Sequence, residues 1–244
     1  MEQSRKKFLK NFLIGATSVP LILEACKKDI TSGSGSSGST GSGGCIVTAE
    51  EVEGPYPYPG GELTNPLNRA DVTGGQTGVP LSLAISVVNT KNNCALVSNA
   101  RVDIWHCNKD GYYSGYGSQN GGSLGTQSYL GQTWLRGYQL TDATGKLTFN
   151  TIYPGWYQGR ATHIHLEVFV NNVLKKTGQI TFAESISDVV HQSSLYAAHG
   201  VNTMRNSGDG IFNNSATDLA NETVALTGSV AGGYSGSYTI GIAL

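Results

Sequence analysis

Apolar residues alternate with small or polar ones along Leu81-Ser82-Leu83-Ala84-Ile85-Ser86-Val87-Val88, the pattern of a strand with one buried face. The same habit returns over Ala100 to Trp105. Gly137 to Leu140, a turn at Asp142-Ala143-Thr144-Gly145, and Lys146 to Ile152 read as a hairpin. Thr162 to Val170 and Leu174 to Phe182 read as a second hairpin, joined through Asn171 and Asn172. Helical spacing is confined to Ser185 to His199 and is weak there, and a last strand is expected around Gly236 to Ile242. Short strands between turn signals, with one short helical excursion and long loops, predict an all-β chain: a β-sandwich of mixed or antiparallel strands.

The amino-terminal pattern is different. Arg5, Lys6, Lys7 and Lys10 precede an apolar run from Phe12 to Leu23 that is too short to span a bilayer comfortably, so residues 1–26 read as an export signal. Leu23-Glu24-Ala25-Cys26 resembles a bacterial lipobox, which makes Cys26 the expected lipidation site, although Glu24 is an unusual occupant of its position. Ser4 to Lys10 resembles a twin-arginine signal with Lys in place of the second Arg. Residues 27–44 form a Ser/Gly-rich tether, because Thr31 to Gly44 carries too little apolar surface to order itself. A flexible chain of that length holds its ends roughly 20 Å apart. Residues 45–244 are then one folded domain, exported and touching a membrane only through the lipid anchor.

Composition narrows the function. The 244 residues carry a formal charge of −1, and no Lys/Arg cluster lies beyond the first thirty or so residues. Nucleic acid is therefore excluded as an expected partner, since phosphate binding needs a basic patch. Three cysteines follow Cys26, and in an oxidising compartment a disulfide is expected. Cys94 lies in the loop before the strand ending at Trp105, so Cys107 is its expected partner and Cys45 is left over.

The densest chemistry is Pro154-Gly155-Trp156-Tyr157-Gln158-Gly159-Arg160-Ala161-Thr162-His163-Ile164-His165. Residues i and i+2 of a strand share a face, so His163 and His165 project together while Ile164, Leu166 and Val168 face the other way. Two nitrogen donors then stand side by side, although such a pair is also common in strands that hold no metal. A second segment, Val102 to Tyr116, runs from a strand into a Gly-containing turn with consecutive tyrosines. Alone, it would merely place amphipathic rings at a rim.

Together these segments resemble the intradiol ring-cleavage dioxygenases, the family of catechol 1,2-dioxygenase and protocatechuate 3,4-dioxygenase. The likeness rests on Trp105 followed eight residues later by Tyr113, then Pro-Gly-x-Tyr and Arg-x-x-His-x-His, with Glu53-Gly54-Pro55-Tyr56 near the domain start. The resemblance implies a mononuclear non-haem Fe(III) in a β-sandwich core, held by Tyr113, Tyr157, His163 and His165. It also implies a catechol-type substrate cleaved by O2 between its two hydroxylated carbons to a cis,cis-muconate type diacid. By the same likeness Tyr113 is the permanent phenolate and Tyr157 the one that yields to substrate and takes its proton. Arg160 stabilises charge on the ring, Gln179 is the polar group beside it, and Tyr56 and Trp156 line the pocket. His106, His191 and His199 fall outside the ligand pattern.

Two departures leave the substrate open between a catechol and a bulkier exported aromatic. Ser114 to Trp134 is a Gly/Ser/Gln-rich insertion expected over or beside the pocket, and the amino-terminal dimerisation helices of catechol 1,2-dioxygenases have no counterpart. The alternative reading is a metal-free β-sandwich module that binds carbohydrate or protein at a cell surface.

Overall fold

The computed structural model describes residues 45–244. The expected signal, the lipidation site Cys26 and the tether lie outside the described residues.

The strands are β1 (Pro80–Asn89), β2 (Ala95–Leu96), β3 (Arg101–Trp105), β4 (Gln119–Asn120), β5 (Thr126–Gln127), β6 (Arg136–Leu140), β7 (Lys146–Ile152), β8 (His163–Val170), β9 (Val173–Phe182), β10 (Thr223–Ser229) and β11 (Gly233–Ile242). The helices are α1 (Glu184–Gln192) and α2 (Ala216–Glu222). In the first layer β1 pairs in parallel with β11 on one side and antiparallel with β7 and β2 on the other, while β10 pairs antiparallel with β11. In the second layer β9, β8, β3 and β6 are antiparallel neighbours in that order. Thr223 and Val224 of β10 also pair in parallel with Thr181 and Phe182 of β9, which joins the layers along one edge. The fold is thus the expected mostly-β sandwich.

The apolar faces meet between the layers. Leu81, Leu83, Ile85 and Val87 of β1 and Ile240 and Ile242 of β11 pack in one core with Val102, Ile104, Ile164, Leu166, Val168, Ile180 and Phe182. Each such side chain stabilises the fold by about 1.5–3 kcal/mol relative to leaving it exposed. The alternation along β1 is therefore the reason one of its faces enters this core.

The hairpin expected at Asn171-Asn172 forms between β8 and β9, with both residues at positive φ, 52° and 59°, as a tight two-residue turn requires. The other expected hairpin does not form. Asp142 does organise a turn, its Oδ1 accepting from Thr144 N at 2.7 Å and Lys146 N at 3.0 Å. However, the strands it joins separate, β6 to β3 in one layer and β7 to β1 in the other. The turn sets only the reversal of direction, while burial of Leu147 and Phe149 against the common core sends β7 to the opposite layer.

The helical region is shorter than expected, ending at Gln192 rather than His199, and α2 was not anticipated. At seven residues α2 is too short to show a periodicity; it is started by Ser215, whose side chain accepts from Asp218 N at 3.0 Å.

The disulfide also differs from expectation. Cys45 bonds Cys94, with Cα atoms 5.6 Å apart, and Cys107 is a buried free thiol whose pKa burial pushes up to about 12. The end of β1 is in register with Ile242, and Thr48 N bonds Gly241 O at 3.0 Å, so the entering chain lies beside the β1–β2 turn that carries Cys94. Cys107 follows the far end of β3, on the order of 15 Å of strand from its start, beyond the Cα separation of about 7 Å that a disulfide tolerates.

Candidate active site

Strand β8 divides its residues between two environments. Ile164, Leu166 and Val168 enter the interlayer core, whereas His163, His165 and Glu167 point to the outer face of the second layer and are nonetheless buried. The centre therefore lies outside the sandwich core implied by the resemblance, because branched apolar side chains already fill the inner face. Register places Arg136, Trp105, His165 and Gln179 in one row across β6, β3, β8 and β9. The amino-terminal segment covers that face, with Glu51 N bonded to Thr177 O at 2.9 Å and Gln179 Nε2 donating to Val52 O at 2.8 Å.

Four of the expected residues come together here. His163 Nε2 and His165 Nε2 are 3.0 Å apart, and Tyr113 Oη lies 3.3 Å from the first and 3.2 Å from the second. The Tyr157 ring is 5.7 Å from that of Tyr113 and 5.6 Å from that of His163, centroid to centroid. His163 Nδ1 lies 2.6 Å from Ala161 O; donation to this carbonyl leaves Nε2 as a bare lone pair. His165 lies flat on Trp105, centroids 4.9 Å apart and planes within 4°, and its buried Nδ1 makes no hydrogen bond. Burial first, and the nearby Arg160 charge second, lower the His163 pKa to about 3; burial and His163 hold His165 well below the usual range. Both imidazoles are therefore neutral donors. Burial pushes the Tyr113 phenol well above its ordinary range and raises Tyr157 as well, against the pull of Arg160.

The rest of the constellation holds these groups in place. Gln119 brackets the Tyr113 peptide, accepting from its N at 2.6 Å and donating to its O at 2.7 Å. Gln119 belongs to the insertion, which lies beside the site as expected and brings Tyr116 edge-on to Tyr56 at 5.1 Å. Tyr56 stacks on Tyr113 at 4.6 Å and meets Tyr157 edge-on at 5.8 Å, so it is part of the site wall. Trp156 instead stacks on His199 at 3.9 Å and donates to Gly200 O at 2.9 Å. Arg160, buried, donates from Nη2 to Gln179 Oε1 at 2.7 Å and from Nη1 to Tyr157 Oη at 3.3 Å. His106 is tied to Thr151 Oγ1 at 2.7 Å and burial lowers its pKa to about 4.

Sequence reasoning missed Asp209, Gln119 and the role of Gly54. Gly54 sits at φ +79°, and a Cβ there would come within 2.8 Å of His165 Cε1, so the Glu53-Gly54-Pro55-Tyr56 turn can press its backbone against the imidazole only with glycine. That close approach was the one signal available in the motif. Asp209 stands in an irregular loop and carries no pattern.

A ferric ion fits this donor set. Among the described residues no group of three His, Cys, Asp or Glu side chains gathers to hold a metal, so a site here draws on phenolic oxygen. Donor atoms 3.0 to 3.3 Å apart suit one ion about 2 Å from each. Two phenols above their normal pKa ionise only beside a strong Lewis acid, and hard phenolate oxygen favours a hard, highly charged cation.

A family model described as Dioxygenase matches residues 52–214. The chain belongs to the intradiol ring-cleavage dioxygenases. An intradiol ring-cleavage dioxygenase from Tetranychus urticae superposes with a TM-score of 0.71 at 27% identity, over 82% of this chain and 95% of that one. A curated relative, catechol 1,2-dioxygenase 1 of Acinetobacter lwoffii, is 26% identical over 150 residues, which is 54% of this chain and only 45% of the relative. The dioxygenase domain of a carbohydrate-binding fusion from Streptomyces sp. SirexAA-E shares the fold, with a TM-score of 0.58 at 22% identity over 82% of this chain and 99% of that one.

Proposed function

We propose that this protein is an exported, lipid-anchored dioxygenase that cleaves a catechol-type ring between its hydroxylated carbons, using mononuclear Fe(III) and O2, to a cis,cis-muconate type diacid. The observation that carries the reading is the convergence of Tyr113, His163 and His165 within 3.3 Å, with Tyr157 and Arg160 beside them. Iron, when bound, supplies the Lewis acidity that binds the catecholate and makes its ring reactive toward O2.

The chain's own residues do the remaining work. His163 and His165, kept neutral by burial, present lone pairs without needing to lose a proton. Tyr113, fully buried and clamped by Gln119, is the permanent phenolate. Tyr157 is the half-buried phenol of the pair, and the family likeness matches it to the phenolate that would give way to substrate and accept a catechol proton at Oη. Arg160 presents a fixed guanidinium beside that oxygen, where a preorganised charge in a dry site stabilises negative charge developing on the ring far better than water would. Gln179 holds the guanidinium from the far side.

Cys26 is the proposed anchor, and a disulfide at Cys45–Cys94 suits an oxidising compartment. Purified protein loaded with Fe(III) should show a phenolate-to-iron absorption band and consume one O2 per catechol cleaved. A colourless loaded protein that takes up no O2 across a panel of catechols would overturn the reading.

A further inference from the structure

Arg160 is held at more points than its charge alone requires. Its Nε donates to Asp209 Oδ2 at 2.7 Å, its Nη2 to Gln179 at 2.7 Å, and its carbonyl accepts from Asn202 Nδ2 at 2.9 Å. Asp209 has no exposed surface, and the same Oδ2 accepts from Ala161 N at 2.6 Å while Oδ1 accepts from Ile211 N at 2.8 Å. The Ala161 carbonyl in turn meets His163 Nδ1 at 2.6 Å. One carboxylate therefore touches both arms of the site: directly the guanidinium, and through a single residue the imidazole. An exposed Arg–Asp pair would leave the guanidinium free to swing, but this one is buried, charge-assisted and braced by two backbone N–H groups.

We infer that Asp209 is the positioning residue of the ring-cleavage site, fixing Arg160 and, through the Ala161 peptide, the orientation of His163. The inference rests on the catechol-cleaving role proposed for this site. Arg160 without Asp209 keeps its charge and its Gln179 contact but loses the Nε tether, so it no longer stands where charge develops. A carboxylate accepts all three donors at once. The amide of Asp209→Asn offers one accepting oxygen and sets N–H against N–H at the other position.

The test compares Fe(III)-loaded wild type with Asp209→Asn, Arg160→Ala and the double variant, with rates expressed per bound iron. The expected result is that Asp209→Asn lowers kcat on catechol by about 10- to 100-fold with KM changed less than about threefold, a loosened charge costing less than a deleted one. In the Arg160→Ala background the same change should cost less than it does in the wild type, because the part that travels through Arg160 is gone and only the part through Ala161 and His163 remains. A separate readout needs no turnover: in the metal-free protein the Arg160 Nε–H should exchange slowly with solvent, and quickly in Asp209→Asn. If Asp209→Asn does not fold, Arg160→Lys asks the same question, since its charge remains but it cannot reach Asp209 and Gln179 together; its kcat should fall as far. Wild type active with the single variants within twofold of it, or equal losses with and without Arg160, would overturn the Asp209 role and leave the ring-cleavage reading standing. A loaded wild type inactive on every catechol would overturn both.

Discussion

The two faces of β8 are built from neighbouring residues and obey different rules. Ile164, Leu166 and Val168 are interchangeable in kind, since what the core asks of them is volume and the absence of polar atoms. His163, His165 and Glu167 are equally buried but are specified atom by atom. His163 needs a carbonyl at Nδ1, His165 an indole beneath it and a glycine at its edge. Burial on the inner face stabilises the fold, whereas burial of the polar groups on the outer face costs free energy that hydrogen bonds must offset. A single strand can thus separate stability from chemistry by its two-residue period, with the stiff inner face fixing where the outer groups stand.

The largest effect that would break this comparison comes from the outer face. His165→Ala should lower ring cleavage by at least ~100-fold, since even groups supporting a metal ligand are worth 10- to 100-fold. The urea midpoint of the metal-free protein should fall less than it does for an inner-face truncation. Leu166→Ala supplies that truncation: chemical unfolding should show a loss of about 2–5 kcal/mol, with kcat per folded, iron-loaded molecule within about threefold of wild type. A variant at Leu166 that keeps its stability and loses its turnover would show that the faces are not separate.

Next in size is the covalent tie. Cys94→Ser opens a loop spanning 49 positions and should cost about 2–4 kcal/mol, measured the same way under non-reducing conditions, while Cys107→Ser should leave the electrophoretic disulfide signature unchanged. The smallest effect concerns the cover of the outer face, where Glu222 is buried near Glu51. Burial, and then Glu51, raise the Glu222 pKa from its usual 4.5 to about 8. Between those values the folded protein holds a proton that the unfolded chain has released, so this contribution is whole below pH 4.5 and is lost as pH rises through about 8. Glu222→Gln cannot ionise, so the difference between wild-type and variant unfolding free energies should decline with pH across that window. A difference that stays level would place an ionised carboxylate at 222.

Much of the site could be read along the chain, though unevenly. The His163-Ile164-His165 spacing states by itself that two imidazoles share a face, because strand geometry is local. Tyr113, 50 positions before His163, joined them only through the family likeness, and the structure supplies the 3.3 Å that makes the association physical. Asp209 is one of 17 acidic residues and sits in an irregular loop, so nothing local distinguished it. Trp156 was placed at the pocket by the family likeness, and the structure adds that its indole is held by His199 and Gly200.

The chain by itself determined the alternation that assigns each strand residue a face, the turns at Asp142 and at Asn171-Asn172, and the side-by-side imidazoles. These follow from φ preferences and a two-residue period, which depend on neighbours alone. Only the tertiary structure decided that β7 joins β1 rather than β6, that Cys45 rather than Cys107 meets Cys94, that the centre lies on the outer face of the second layer, and that Asp209 grips Arg160. Those choices turn on the total apolar surface buried and the polar groups satisfied between segments far apart, quantities that no local stretch contains.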